Sequence, residues 1–136
     1  MKRRRAREYT LQMLFQADFI EKDIEGINFK EFWSNKREDK DLKEFTEELV
    51  RGTLERLDDI DRMIENVAEN WILKRMAVVD RNILRFAAYE ILYRKDIPSA
   101  VTINEAIEIA KKYSTTEAAS FINGILDSLA KEAGKA

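Results

Sequence analysis

Ile83-Leu84-Arg85-Phe86-Ala87-Ala88-Tyr89-Glu90-Ile91-Leu92 is the stretch that decides the fold. Its apolar residues Ile83, Leu84, Ala87, Ala88, Ile91 and Leu92 recur at three- and four-residue intervals, which makes a broad apolar face on a helix. Upstream, Leu42, Phe45 and Leu49, then Leu57, Ile60, Ile64, Val67 and Trp71, keep the same spacing. This predicts a long amphipathic helix over 41–71, or two helices broken near Gly52, with residues 72–79 as a connection. Further upstream, residues 3–21 read as a first helix with Leu11, Leu14, Phe15 and Phe19 on one stripe. A turn over 23–28, a short helix with Phe29, Phe32 and Trp33, and a polar loop over 34–41 follow it.

Downstream, Asp96-Ile97-Pro98-Ser99 marks a sharp break. Thr102 with Glu105, and Ser114 with Glu117, each have the spacing of a capping box, in which hydroxyl and carboxylate satisfy free backbone N–H groups. The helices they would open carry Ile103, Ala106, Ile107 and Ala110, and then Phe121, Ile122, Ile125, Leu126 and Leu129. Gly124 interrupts neither spacing nor stripe and is expected at a close helix–helix contact. Leu84 and Ile125 are expected in the core, and the tail from Lys131 is expected to fray. The predicted fold is all-α, six or seven helices without a sheet.

Composition narrows the function. The chain of 136 residues has no cysteine and no histidine, which removes disulfides, thiolate nucleophiles, the usual zinc sites and imidazole bases. No apolar run reaches the roughly 18 residues of a membrane span, and the basic start lacks the apolar segment of a signal peptide. The chain therefore reads as a cytoplasmic protein. Its net charge of −2 hides a polarity: residues 1–7 hold Lys2, Arg3, Arg4, Arg5 and Arg7 with no acid. The remainder is acidic, so the N-terminus can attract a polyanion that the body repels.

Arginine suits that role because its guanidinium pairs with phosphate through two parallel hydrogen bonds and stacks on unpaired bases. Cations at a helix N-terminus oppose the macrodipole, so they are expected to serve something other than stability. Tyr9 and Phe15 lie on the same helix. Tyr9 is expected to be the exposed ring, whereas Phe15 fits either the core stripe or a base-stacking role. Carboxylates at Glu44, Glu47 and Glu48, and at Asp58, Asp59 and Asp61, alternate with basic residues and read as solvated helix faces rather than a metal or acid–base site. No glycine-rich phosphate loop or nucleophile elbow is present. The expectation is a protein without catalytic residues, metal or cofactor.

Four segments carry a resemblance: Arg3 to Glu8, Val79 to Glu90, Ile103 to Lys111, and Phe121 to Asp127. In order and spacing they resemble the NusB family of antitermination factors over nearly the whole chain. The resemblance implies two small packed helical subdomains, near 1–70 and 71–136. It implies binding of boxA-type single-stranded leader RNA together with NusE, a ribosomal protein, within an RNA polymerase antitermination complex. By position it assigns RNA contacts to Lys2, Arg3, Arg4, Arg5, Arg7, Gln12, Phe15, Arg85 and Phe121, and partner contacts to Asp80 and Glu117. Phe15 stands where the family often has tyrosine. Homodimers occur in the family through the same RNA-facing surface. The competing reading is a helical protein-interaction module that never touches RNA, with Phe32 and Trp33 as its exposed aromatics.

Overall fold

The computed structural model describes residues 2–20, 26–69 and 71–135. These form seven α-helices and no strand: α1 (Lys2–Phe19), α2 (Phe29–Trp33), α3 (Lys40–Glu55), α4 (Leu57–Val67), α5 (Val78–Tyr93), α6 (Ser99–Tyr113) and α7 (Thr116–Glu132). A 3-10 turn at Leu73–Arg75 leads into α5. The turn expected over 23–28 lies partly outside the described residues.

The stretch that decides the fold is the central helix. α5 packs against α1, α3, α4, α6 and α7. It buries residues on every side, including Ile83, Leu84, Phe86, Ala87, Ala88 and Ile91. Its buried polar residues Asn82 and Glu90 are hydrogen-bonded, as groups taken out of water must be. The buried residues form one cluster that draws on helices from both halves of the chain. Leu84 and Ile125 belong to it.

Helix ends follow local chemistry, though not always at the expected residue. Asn28, Asp39 and Thr115 accept backbone N–H bonds from Glu31, Leu42 and Ala118 and cap α2, α3 and α7. The cap of α7 is thus Thr115, not Ser114. The box expected at Thr102 and Glu105 does not form, since α6 already begins at Ser99 behind Pro98. Thr102 instead donates its hydroxyl to Glu90 at 2.9 Å, and Glu105 turns to Arg4. The tail is anchored rather than frayed: Lys135 Nζ donates to the carbonyls of Glu90 and Arg94, which closes the C-terminal end of α5.

The two glycine expectations exchange places. At Gly124 an added Cβ meets nothing within 4 Å, so no helix approaches there. At Gly52 an added Cβ falls inside the contact distance of the Tyr89 ring. Gly52 is therefore helical and lets α3 approach α5; the chain breaks four residues later, at Arg56. Gly52→Ala should destabilise the fold by about 1–3 kcal/mol despite alanine's better helix propensity, because Tyr89 must move and give up its hydrogen bond to Glu48. A denaturant titration checks it; an unchanged midpoint would show that the Tyr89 ring gives way freely.

Candidate nucleic-acid interface

α1 buries Ala6, Arg7, Thr10, Leu11, Met13, Leu14 and Ala17. That face is rotated away from the stripe read in the sequence, and it leaves Phe15 and Phe19 outside the core. Phe15 is 37% exposed and Phe19 74%. Their rings lie nearly parallel, 6.4 Å apart between centroids. Gln12, one turn before Phe15, is exposed beside them. Gln12, Phe15 and Gln16 form one wall of a shallow groove of about 490 Å³ that Lys36, Val79 and Tyr113 also line.

Tyr9 is not the free ring. It packs edge-on against Phe32 and Trp33 at 5.8 and 5.2 Å, and its hydroxyl donates to Glu38 at 2.6 Å. Trp33 is buried with its indole N–H on Glu47, and Phe32 is half-buried, so neither is the exposed aromatic that a plain interaction module would need.

The five basic residues at the start of α1 separate into three environments. Arg7 is only 2% exposed and forks onto the fully buried Glu90 at 2.7 and 2.8 Å. Its guanidinium cannot reach a phosphate without abandoning that partner, so the fold places Arg7 in the core rather than on the exposed surface of α1. Arg4 forks onto Glu105 at 2.9 and 2.6 Å and ties α1 to α6. Lys2 pairs with Asp39, both about half-exposed, and the half-exposed Arg5 pairs with Glu38, whose side chain is largely covered. Arg3 makes no ion pair within 4 Å among the described residues, although its charge acts on Asp96; its guanidinium lies over the Phe45 ring, 4.4 Å from the centroid. Arg4 and Arg7 thus fasten α1 to the rest of the fold, against the expectation that the basic run serves something other than stability.

Arg85 is likewise engaged. It forks onto Asp61 at 2.8 and 2.9 Å and reaches Asp18 at 3.0 Å, while Arg81 forks onto the same Asp18 at 2.6 and 2.9 Å. Burial works to raise the Asp18 carboxyl, but hydrogen bonds from Arg81 and Asn82 and the nearby Arg85 charge hold it below the ordinary range. At Asp61 burial prevails over Arg85 and pushes the carboxyl up. Asp61 is thus part of an enclosed ionic network joining α1, α4 and α5, not of a solvated face. Sequence spacing showed no sign of this network, because its members are far apart along the chain.

Phe121 is half-buried on α7 and meets the ring of Trp71, itself 51% exposed, at 5.3 Å. Glu117 is exposed in the first turn of α7, where a carboxylate also suits the helix dipole. Asp80 occupies the first turn of α5 with one carboxylate oxygen buried and without a hydrogen-bond partner. No group of side chains with metal-ligating character and no helix long and apolar enough to cross a membrane occurs among the described residues. Phe19 and Trp71 were not singled out for the surface by sequence reasoning. The recurrence of Phe15 and Phe19 at i and i+4 is the available signal; it leaves Phe15 open between core and surface and puts Phe19 on the apolar stripe.

Comparison with known proteins agrees with this fold. The sequence profile of the NusB family matches residues 4–131. The transcription antitermination protein NusB of Thermodesulfovibrio yellowstonii is 51% identical, over 97% of this chain and 93% of the relative. The solved structure of T. maritima NusB superposes with a TM-score of 0.82 at 44% identity, covering 96% of this chain and 91% of that one. A chain from a solved complex of antitermination factors NusB and NusE with double-stranded RNA superposes with a TM-score of 0.83 at 27% identity, covering 96% and 97%. With the profile spanning nearly the whole chain and the central helix, α1 and α7 all in place, this protein belongs to the NusB family.

Proposed function

We propose that this chain is a cytoplasmic transcription antitermination factor that acts by binding and not by catalysis. In this reading it holds boxA-type single-stranded RNA together with the ribosomal protein NusE and joins an RNA polymerase antitermination complex. The observation that carries it is the surface of α1, where an exposed polar and aromatic strip of Gln12, Phe15 and Phe19 continues from a basic N-terminus. Single-stranded nucleic acid is bound by this combination of cations along the backbone and rings under the bases. Lys2, Arg3 and Arg5 supply the phosphate contacts, with Arg4 at their edge. Gln12, Phe15 and Phe121 read or stack bases. Arg7 and Arg85 act indirectly, by holding α1 against α5 and α4. The relative solved with NusE and double-stranded RNA supports NusE and RNA as the classes of partner.

The reading is tested by titrating labelled boxA-type RNA with the protein alone and with NusE. Binding should be tighter with NusE, and Phe15→Ala should weaken it about tenfold, within the range of one lost base–aromatic stack. Equal affinity of wild type and Phe15→Ala, with and without NusE, would overturn it.

Asp80 and Glu117 face NusE in this reading, opposite in charge to a basic ribosomal protein. Because Thr115 and not Glu117 provides the side-chain cap, Glu117→Gln isolates the charge. It should weaken NusE binding about two- to fivefold at low salt, the size of one exposed pair, with the difference fading as salt rises. An affinity for NusE equal to wild type at every salt concentration would remove Glu117 from that surface.

A further inference from the structure

We propose that Glu38 and Asp39 compete with RNA phosphate for Lys2 and Arg5, and so set the affinity of the α1 cations; this rests on the RNA-binding reading above. Glu38 accepts from Arg5 at 2.8, 3.0 and 3.2 Å, using both carboxylate oxygens, and from the Tyr9 hydroxyl at 2.6 Å. Asp39 stands 2.9 Å from Lys2 Nζ. A guanidinium fork on two anionic oxygens is the arrangement it would make with a phosphate. The protein therefore already presents an anion where the RNA backbone would lie.

The two carboxylates are held in place rather than free to swing away. Asp39 caps α3 through the Leu42 N–H. Glu38 is tied to Tyr9, which is wedged against Phe32 and Trp33. The hydrogen bond from Arg5, and then that from Tyr9, keep Glu38 below the usual carboxylate range, so it is anionic at neutral pH. An incoming phosphate must break the pair and then lie beside a fixed negative charge. Exposure decides where this exchange can happen. Lys2 and Arg5 have half their side-chain surface in water, whereas Arg7 and Glu90 are sealed from it. Lys2 and Arg5 are thus the cations whose partner RNA can replace, and Arg7 is not.

Glu38→Gln with Asp39→Asn removes both charges and keeps the geometry. Glutamine still accepts from Tyr9, and asparagine caps a helix as well as aspartate does. Two pairs whose cations are half-exposed, converted at tenfold per ~1.4 kcal/mol, correspond to roughly two- to thirtyfold in affinity. Labelled single-stranded boxA RNA and an unrelated strand of equal length should both bind that much more tightly, because phosphate contacts carry no sequence information. Asp58→Asn with Asp59→Asn, on the exposed side of α4, makes the same change in net charge and should leave affinity within about twofold of wild type. Lys2→Ala with Arg5→Ala should weaken binding. If that variant weakens binding but the Glu38/Asp39 variant does not tighten it, or the α4 variant tightens it equally, the competition is refuted while the RNA reading stands. If Lys2→Ala with Arg5→Ala binds RNA as wild type does, the RNA reading at this surface falls and the proposal with it. Thermal melting followed by circular dichroism verifies folding, and Glu38→Gln alone repeats the test should the double variant melt early.

Discussion

Arg7→Met is expected to lower the unfolding free energy by about 3–5 kcal/mol, because it strands a buried carboxylate. Glu90 is fully buried and accepts the Arg7 fork at 2.7 and 2.8 Å and the Thr102 hydroxyl at 2.9 Å. Without Arg7 the Thr102 hydroxyl is the one hydrogen bond to the Glu90 carboxylate left among the described residues, with the Lys135 ammonium acting on it only through its charge. Lysine would not restore the site, since it cannot present two parallel donors to one carboxylate. Arg7→Met with Glu90→Met should recover most of the loss, as apolar replacement of a buried pair is often close to neutral. The measurement is a denaturant titration of both variants. A loss below about 1 kcal/mol for the single variant would mean that water or a shifted side chain reaches Glu90. In the conditions where Arg7→Met is folded, the salt dependence of RNA binding should match wild type if Arg7, sealed against Glu90, makes no phosphate contact, as proposed above.

Replacing Lys2, Arg3 and Arg5 together with alanine should do the reverse: leave stability nearly intact and remove much of the RNA affinity. Each phosphate contact to a single strand contributes about −0.7 to the slope of log affinity against log salt, so three contribute about −2. At about 0.1 M salt that corresponds to roughly a hundredfold weaker binding. The slope itself should flatten by about two. All RNAs should weaken alike, while any preference for boxA should persist through the base contacts proposed for Gln12, Phe15 and Phe121. Alanine favours helix, and Arg4, Arg7 and the buried face of α1 are untouched, so the circular dichroism of the variant should match wild type. A well-folded triple variant with unaltered slope would show that the phosphates lie elsewhere. The two variants differ by as little as two positions on one helix and are expected to fail in opposite ways, which makes them a paired test.

Much of the fold is legible in the sequence because helices are written locally. The spacing around Ile83–Leu92 and Leu42–Val67, and the break at Pro98, depend on neighbours within one or two turns. Cap identity was less legible. Ser114 and Thr115 are both competent caps, and only the path of the chain puts Thr115 at the turn. The place of close helix approach was not legible either. Gly52 and Gly124 look alike in sequence, but a tyrosine from α5 lies over one and open space over the other.

By itself the sequence determined the helical class, the central helix, the basic start of α1 and the family resemblance. Tertiary structure alone decided which side of α1 is buried, so that Phe15 and Phe19 face outward and Tyr9 does not. It alone decided which cations remain available. Arg5, Arg7 and Arg4 find their carboxylates 33, 83 and 101 residues away in the chain. The physical reason is that helical periodicity is set by backbone hydrogen bonds four residues apart, whereas an ion pair is set by whichever opposite charge the packed helices bring within a few ångströms. A run of arginines states the charge of α1; only the fold separates fasteners from binding groups.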